Sequence, residues 1–131
     1  MSLKDVVFGH VNIAHDDDRR TLFSIFNGKE FHGFHAATLK WFEFKKDAVV
    51  AKHYHEYDEI FCVVSGEDIF ELVDVDSMEK ETYFLKRGDI LLVAKRVAHR
   101  CHVKKDSIVI AANEKPYISA KQNDILFDKF D

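Results

Sequence analysis

From Thr38 to Ala112 the chain alternates short β-type segments with turns, and no other feature limits its fold as tightly. Thr38–Phe44, Val49–His55, Glu59–Ser65, Ile69–Val75, Glu81–Lys86, Asp89–Ala94, His99–Val103 and Ser107–Ala112 are rich in β-branched and aromatic residues, with glycines or charged turns between them. Short strands at intervals of about 8–12 residues are the pattern of an antiparallel sandwich, jelly roll or barrel. The middle of the chain has no amphipathic helical period. Asp17–Phe26 fits a short helix or a strand equally well. Ala120–Phe130, with Ile125, Leu126 and Phe130, is read as a terminal turn of helix packed over one end of the barrel. Pro116 is the only proline and no repeat or linker stands out, so residues 1–131 are read as one all-β domain.

The formal net charge of −4 argues against a protein that grips nucleic acid or an anionic lipid surface. The longest uncharged apolar run is too short to span a membrane, and residues 1–20 lack the apolar region of a secretory signal. Cys62 and Cys101 are too few for a disulfide scaffold, so a cytoplasmic chain with reduced thiols is expected.

Eight histidines are many for 131 residues. Residues two apart on a strand share a face, so His53 and His55 can aim at one point inside a barrel. Glu59 has their parity beyond a bend, and His99 opens a later strand. Three imidazoles and one carboxylate suit one divalent ion: Zn(II), Ni(II), Fe(II), Mn(II) or Co(II). With six-fold coordination two positions would stay open for water or substrate. The plain alternative is a pair of core-edge histidines hydrogen-bonded to Glu59.

His53, His55, Glu59 and Gly66 stand at the intervals of the first cupin motif, and Gly88 and His99 at those of the second. The chain from about residue 47 to residue 103 thus resembles the cupins. That resemblance implies a double-stranded β-helix, or jelly roll, with His53, His55, Glu59 and His99 as metal ligands. Asp47, Ala94, Arg96 and Val103 replace the motifs' opening glycine, proline, second glycine and asparagine, which are turn and packing positions. A narrower likeness rests on Lys52-His53-Tyr54-His55, Val97-Ala98-His99 and Lys115-Pro116-Tyr117. These segments are similar to cupins that act on nucleotide-linked deoxysugars, the 3,5-epimerases and 3,4-ketoisomerases. In the epimerase group that likeness implies His53 as general base, Tyr117 as acid and no metal requirement. The arginine usual shortly before the first histidine is missing, since Val49, Val50 and Ala51 fill that stretch.

Among other residues, Tyr57 is a candidate proton donor. Lys52, Arg96 and Cys101 are candidate substrate contacts, Arg96 lying with Lys95 and Arg100 beside His99. His102 has the opposite parity to His99 and is expected to face outward. His32 and His35 lie in an irregular stretch that could edge a cavity. Twelve phenylalanines and Trp41 are read as core and interface material, and the resemblance to cupin barrels implies a homodimer paired through an edge strand or aromatic face.

The reading is therefore a metal-binding cupin that isomerises or epimerises a small oxygenated, sugar-like or keto-acid substrate, with nucleotide-sugar or polysaccharide metabolism as its expected setting. An Fe(II) dioxygenase and a non-catalytic metabolite-binding cupin are the rivals. Oxygen uptake would mark the first and tight binding without turnover the second.

Overall fold

A computed structural model of the protein describes residues 3–26 and 31–131. The strands are β1 (Val7–His10), β2 (Asn12–Asp16), β3 (Thr21–Ser24), β4 (Thr38–Glu43), β5 (Ala48–Tyr54), β6 (Glu59–Ser65), β7 (Glu67–Asp74), β8 (Lys80–Lys86), β9 (Asp89–Val93), β10 (Val97–Val103), β11 (Ile108–Asn113) and β12 (Ile125–Leu126). One helical turn, α1 (Ala120–Asn123), precedes β12. Two five-stranded antiparallel sheets, β1-β9-β6-β11-β4 and β12-β5-β10-β7-β8, face each other as a jelly roll.

Alternation along the strands builds the space between the sheets. Phe61 and Val63 of β6, Phe70 and Leu72 of β7, Leu91 and Val93 of β9 and Val109 and Ala111 of β11 form one buried cluster there. The opposite face of the first sheet is also apolar, through Ile60, Ile90, Leu92 and Ala112. Phe34 covers it, with Val7, Val11, Ile25 and Phe31 against it.

One open segment is decided and one resolves differently from the sequence reading. Asp17–Phe26 makes no helix: Thr21–Ser24 pairs with β2 as a hairpin. Hydrogen bonds from the Arg19 and Arg20 amides to Asp17 shape its turn. The C-terminal segment is helical for only four residues, because the chain then runs on as an edge strand against β5. Ile125 and Leu126, expected to pack, are exposed, and Phe127 and Phe130 pack with Val73 and Ala98 in their place.

Gly66, which turns β6 into β7, has φ +91°, and a Cβ there would lie 2.6 Å from the Ser107 Cβ. Only glycine fits both conditions. Just beyond it, Asp68 is buried, accepting from the Ser107 hydroxyl at 3.1 Å and the Lys104 amide at 3.3 Å. Burial raises its carboxyl above the ordinary 3.8, against the pull of those two donors. The native state thus holds this proton at a pH where the unfolded chain has released it. Stability from the group is gained as pH falls through the native value towards 3.8, and is missing at neutral pH. Asp68→Asn keeps the acceptor without the charge. It is expected to stabilise the protein by up to about 1 kcal/mol at pH 7, the gain shrinking towards pH 4, in urea unfolding at each pH.

Candidate functional site

β5 is not a regular strand. Ala51 and Lys52 both have positive φ, 77° and 63°, and the β5–β10 register slips where they lie. This bulge reverses the side-chain parity of the strand. Before it Val49 is exposed and Val50 faces the cavity; after it His53 faces the cavity. His53 stands opposite His99 of β10 in the register, with ring centroids 4.6 Å apart. His55, just past β5, has its ring 4.8 Å from that of His53 and 5.7 Å from that of His99. One ring nitrogen from each of the three lies within 4.8 Å of the other two, and His55 and His99 are buried. Glu59 lies beside two of the three, His55 and His99.

The Glu59 carboxylate, also buried, bridges two neighbourhoods. Its Oε2 accepts from Lys40 Nζ at 3.1 Å. Its Oε1 lies 3.2 Å from His55 Nε2 without a formed hydrogen bond, and 3.7 Å from His99 Nε2, beyond hydrogen-bond distance. Lys40 projects inward from β4 between exposed Leu39 and Trp41, and its ammonium also sits 4.6 Å from the centre of the Tyr117 ring.

The C-terminal segment completes the site. Ser119 caps α1 by accepting from the Gln122 amide. The Asn123 side chain accepts from the Ile118 and Ser119 amides and donates to the Tyr57 hydroxyl at 3.0 Å. That brace presents two groups to the histidines. The Asn123 carbonyl accepts from His55 Nδ1 at 2.8 Å. Asp124 lies 3.4 Å from His53 Nδ1 and 3.7 Å from His55 Nδ1.

Each group's ionisation follows from its surroundings. Burial pushes the Glu59 carboxyl up, but His55, His99 and Lys40 outweigh it and hold it low, at about 2. Burial opposes charge on His55, yet Glu59, the Asn123 carbonyl and Asp124 raise its pKa above the ordinary value. For His53 and His99 burial wins: it lowers His53 against the pull of Asp124, and lowers His99 to about 3 against the pull of Glu59. Burial raises the Tyr117 phenol, which stays protonated at neutral pH.

These residues surround a cavity of about 370 Å³ between the sheets. Of the residues singled out in the sequence, His53, Glu59, His99, Cys101 and Tyr117 line it, and His55 stands behind them. Tyr57 does not line it: its ring stacks on His55 at 4.7 Å, and its hydroxyl is held by Asn123. Lys52 is exposed, because the bulge turns it outward. Arg96 also lies outside, paired with Asp76 and Glu56. It occupies a positive φ of 61°, where the cupin motif has its second glycine, and its amide donates to the His55 carbonyl. Arg100 and His102 face outward onto Glu71. Lys40, Asn123 and Asp124 are site residues that the sequence reading missed. Lys40 could have been found by parity, since it shares the inward face of β4 with Phe42; no local pattern marks the other two.

The three imidazoles fit one divalent ion. With its Nδ1–H on the Asn123 carbonyl, His55 turns an Nε2 lone pair inward, and a backbone carbonyl in that position is a common support for a metal-binding histidine. That nitrogen and Glu59 Oε1, two acceptors in the neutral state, face each other without a proton donor between them.

Comparison with known proteins agrees with this architecture. The chain superposes on the TDP-quinovose 3,4-ketoisomerase WlaRB of Campylobacter jejuni with a TM-score of 0.79 and 17% identity, covering 94% of this chain and 93% of that one. The TDP-bound sugar 3,4-ketoisomerase QdtA of Thermoanaerobacterium thermosaccharolyticum gives 0.79 at 15% identity, covering 95% and 89%. The dTDP-6-deoxy-D-glucose-3,5-epimerase RmlC of Legionella pneumophila gives 0.83 at 14% identity, covering 100% and 77%. At such identities the likeness is one of fold. A sequence search of curated proteins found no match. The family model for the cupin domain matches residues 40–112, more than half of the chain and both stretches that carry the histidines. The chain belongs to the cupin domain family.

Proposed function

We propose that the protein is an isomerase or epimerase that moves a proton at a carbon beside a carbonyl group. The observation that carries this reading is the pairing of His53 Nδ1 with Asp124 at 3.4 Å, at the wall of a cavity that also presents Lys40 and Tyr117. The charge of Asp124 beside Nδ1 favours a proton there, which leaves Nε2 of a largely neutral His53 free to take the proton. The Lys40 ammonium, with donors beyond the one given to Glu59, stabilises the oxygen that gains negative charge. Tyr117, kept protonated, returns a proton to the product. The ketoisomerases and epimerases that share the fold support this class of chemistry.

A second reading is favoured by the close grouping of His53, His55 and His99. Those imidazoles would hold one divalent ion, which when bound supplies polarisation of the substrate carbonyl. The readings part at His53, which is a base in one and a ligand in the other. Proton exchange at carbon can be followed by proton NMR in D₂O with simple hydroxyketones and keto acids. Exchange is expected to survive chelator treatment. Loss on chelation with recovery on adding one equivalent of Zn(II), Ni(II), Fe(II), Mn(II) or Co(II) would move the assignment to the ion. Absence of exchange in both states would overturn both readings.

We also propose a homodimer. Among the described residues β4 ends its sheet, with an unpaired ladder and with Leu39 and Trp41 71% and 66% exposed. Trp41→Lys is expected to halve the mass measured by light scattering; an unchanged mass would place the interface elsewhere.

A further inference from the structure

The cavity is layered, and the layering identifies what it holds. Along each of three strands a polar residue that lines the cavity is followed two places on by an apolar one that also lines it. β4 runs from Lys40 to Phe42, β6 from Glu59 to Phe61, and β10 from His99 through Cys101 to Val103, all of them lining the cavity. Below the histidines, Val50, Phe70 and Val109 close the space without a single charged side chain. Among the described residues that line it, Lys40 is the only Lys or Arg, and one of its donors is already given to Glu59. The other charges on the wall, Glu59 and Asp124, are carboxylates. A pyrophosphate brought here would meet no arginine fork and two anions, the reverse of what phosphate recognition requires. At about 370 Å³ the cavity is near the small end of ligand sites.

We infer that the substrate, on the isomerase reading, is a small carbonyl compound whose apolar tail lodges beneath the histidines, and not a nucleoside diphosphate sugar. The carbonyl sits at the level of Lys40 and His53, and the tail points towards Phe70 and Val109. This separates the chain from the TDP-sugar enzymes that share its fold.

Calorimetric titration of the full-length protein with 1-hydroxy-2-ketones of three to eight carbons, and separately with TDP, tests the inference. Affinity is expected to rise about fourfold per added methylene until the cavity is full. TDP is expected to bind at least tenfold more weakly than the best ketone. A flat series, or TDP binding as tightly as the best ketone, would overturn the inference. Val109→Phe, which fills the floor, is expected to end the rise at a shorter chain. Phe44→Ala, at a half-buried position, is expected to extend it, and serves if the first variant fails to fold. Proton exchange recorded on the same ketones keeps the two levels apart. A rising affinity series without exchange removes the isomerase reading and leaves the ligand class standing; exchange with a flat series does the opposite.

Discussion

Replacing Lys40 with methionine is expected to destabilise the metal-free protein by about 3 kcal/mol, at the low end for breaking a buried ion pair. The carboxylate left behind is the reason. The Glu59 side chain is 3% exposed, and Lys40, itself 22% exposed, is its hydrogen-bonded cation. Without the ammonium only His55 and His99 remain near Glu59, and burial holds His99 neutral. His55 can take up a proton and recover part of the loss, so the low end of the range applies. The midpoint of thermal unfolding should fall by roughly 10 °C for a chain of this size. Lys40→Met combined with Glu59→Gln removes both charges, and the pair should lie within about 1 kcal/mol of the starting protein. Urea unfolding of the starting protein, Lys40→Met, Glu59→Gln and the double variant in the presence of chelator measures the coupling. If Lys40→Met alone costs less than 0.5 kcal/mol on the scale of an exposed pair, the charge is not buried as described.

The second large effect concerns His53 and Asp124. His53→Gln is expected to slow proton exchange about a thousandfold, within the span usual for a lost general base. Asp124→Asn should slow it about a hundredfold, since its amide cannot enforce the same imidazole tautomer. Because a merely structural aspartate could also lower the rate, the pH profile decides. Burial already holds His53 below its ordinary 6.5, and Asp124 pulls it upward. Exchange should therefore rise with pH about a midpoint below 6.5, and in Asp124→Asn that midpoint should move to still lower pH. Unfolding curves within about 1 kcal/mol of the starting protein would separate lost chemistry from lost fold. An unshifted profile in Asp124→Asn would remove Asp124 from the proton path.

Much of this could be read from the chain before folding it. Glu59–Ser65 coincides with β6, and the other seven segments overlap β4, β5 and β7 to β11 with end shifts of one or two residues, because turn residues and alternation both mark their limits. The histidine group was legible for the same reason: spacing on strands fixes direction. What stayed hidden depends on contacts without a local pattern. Asp124 and the Asn123 carbonyl reach the site because the C-terminal segment folds back onto β5, and nothing near residue 124 announces that return. Tyr57 and Lys52 show the limit of proximity in sequence. Both are neighbours of the histidines along the chain, yet one braces His55 from behind and the other faces solvent. The N-terminal hairpin was ambiguous because Leu22, Phe23, Ile25 and Phe26 suit a helix face as well as a strand.

The two left-handed residues in β5 carry a lesson for anyone aligning or grafting this motif. Copying His-Tyr-His onto a flat strand that keeps Val50 inside would send both imidazoles to the wrong side. A one-residue gap placed carelessly between positions 50 and 53 does the same on paper, turning true counterparts into false ones. Kinship among such chains is better judged by which face of the sheet a residue occupies than by how many places it stands from its neighbour.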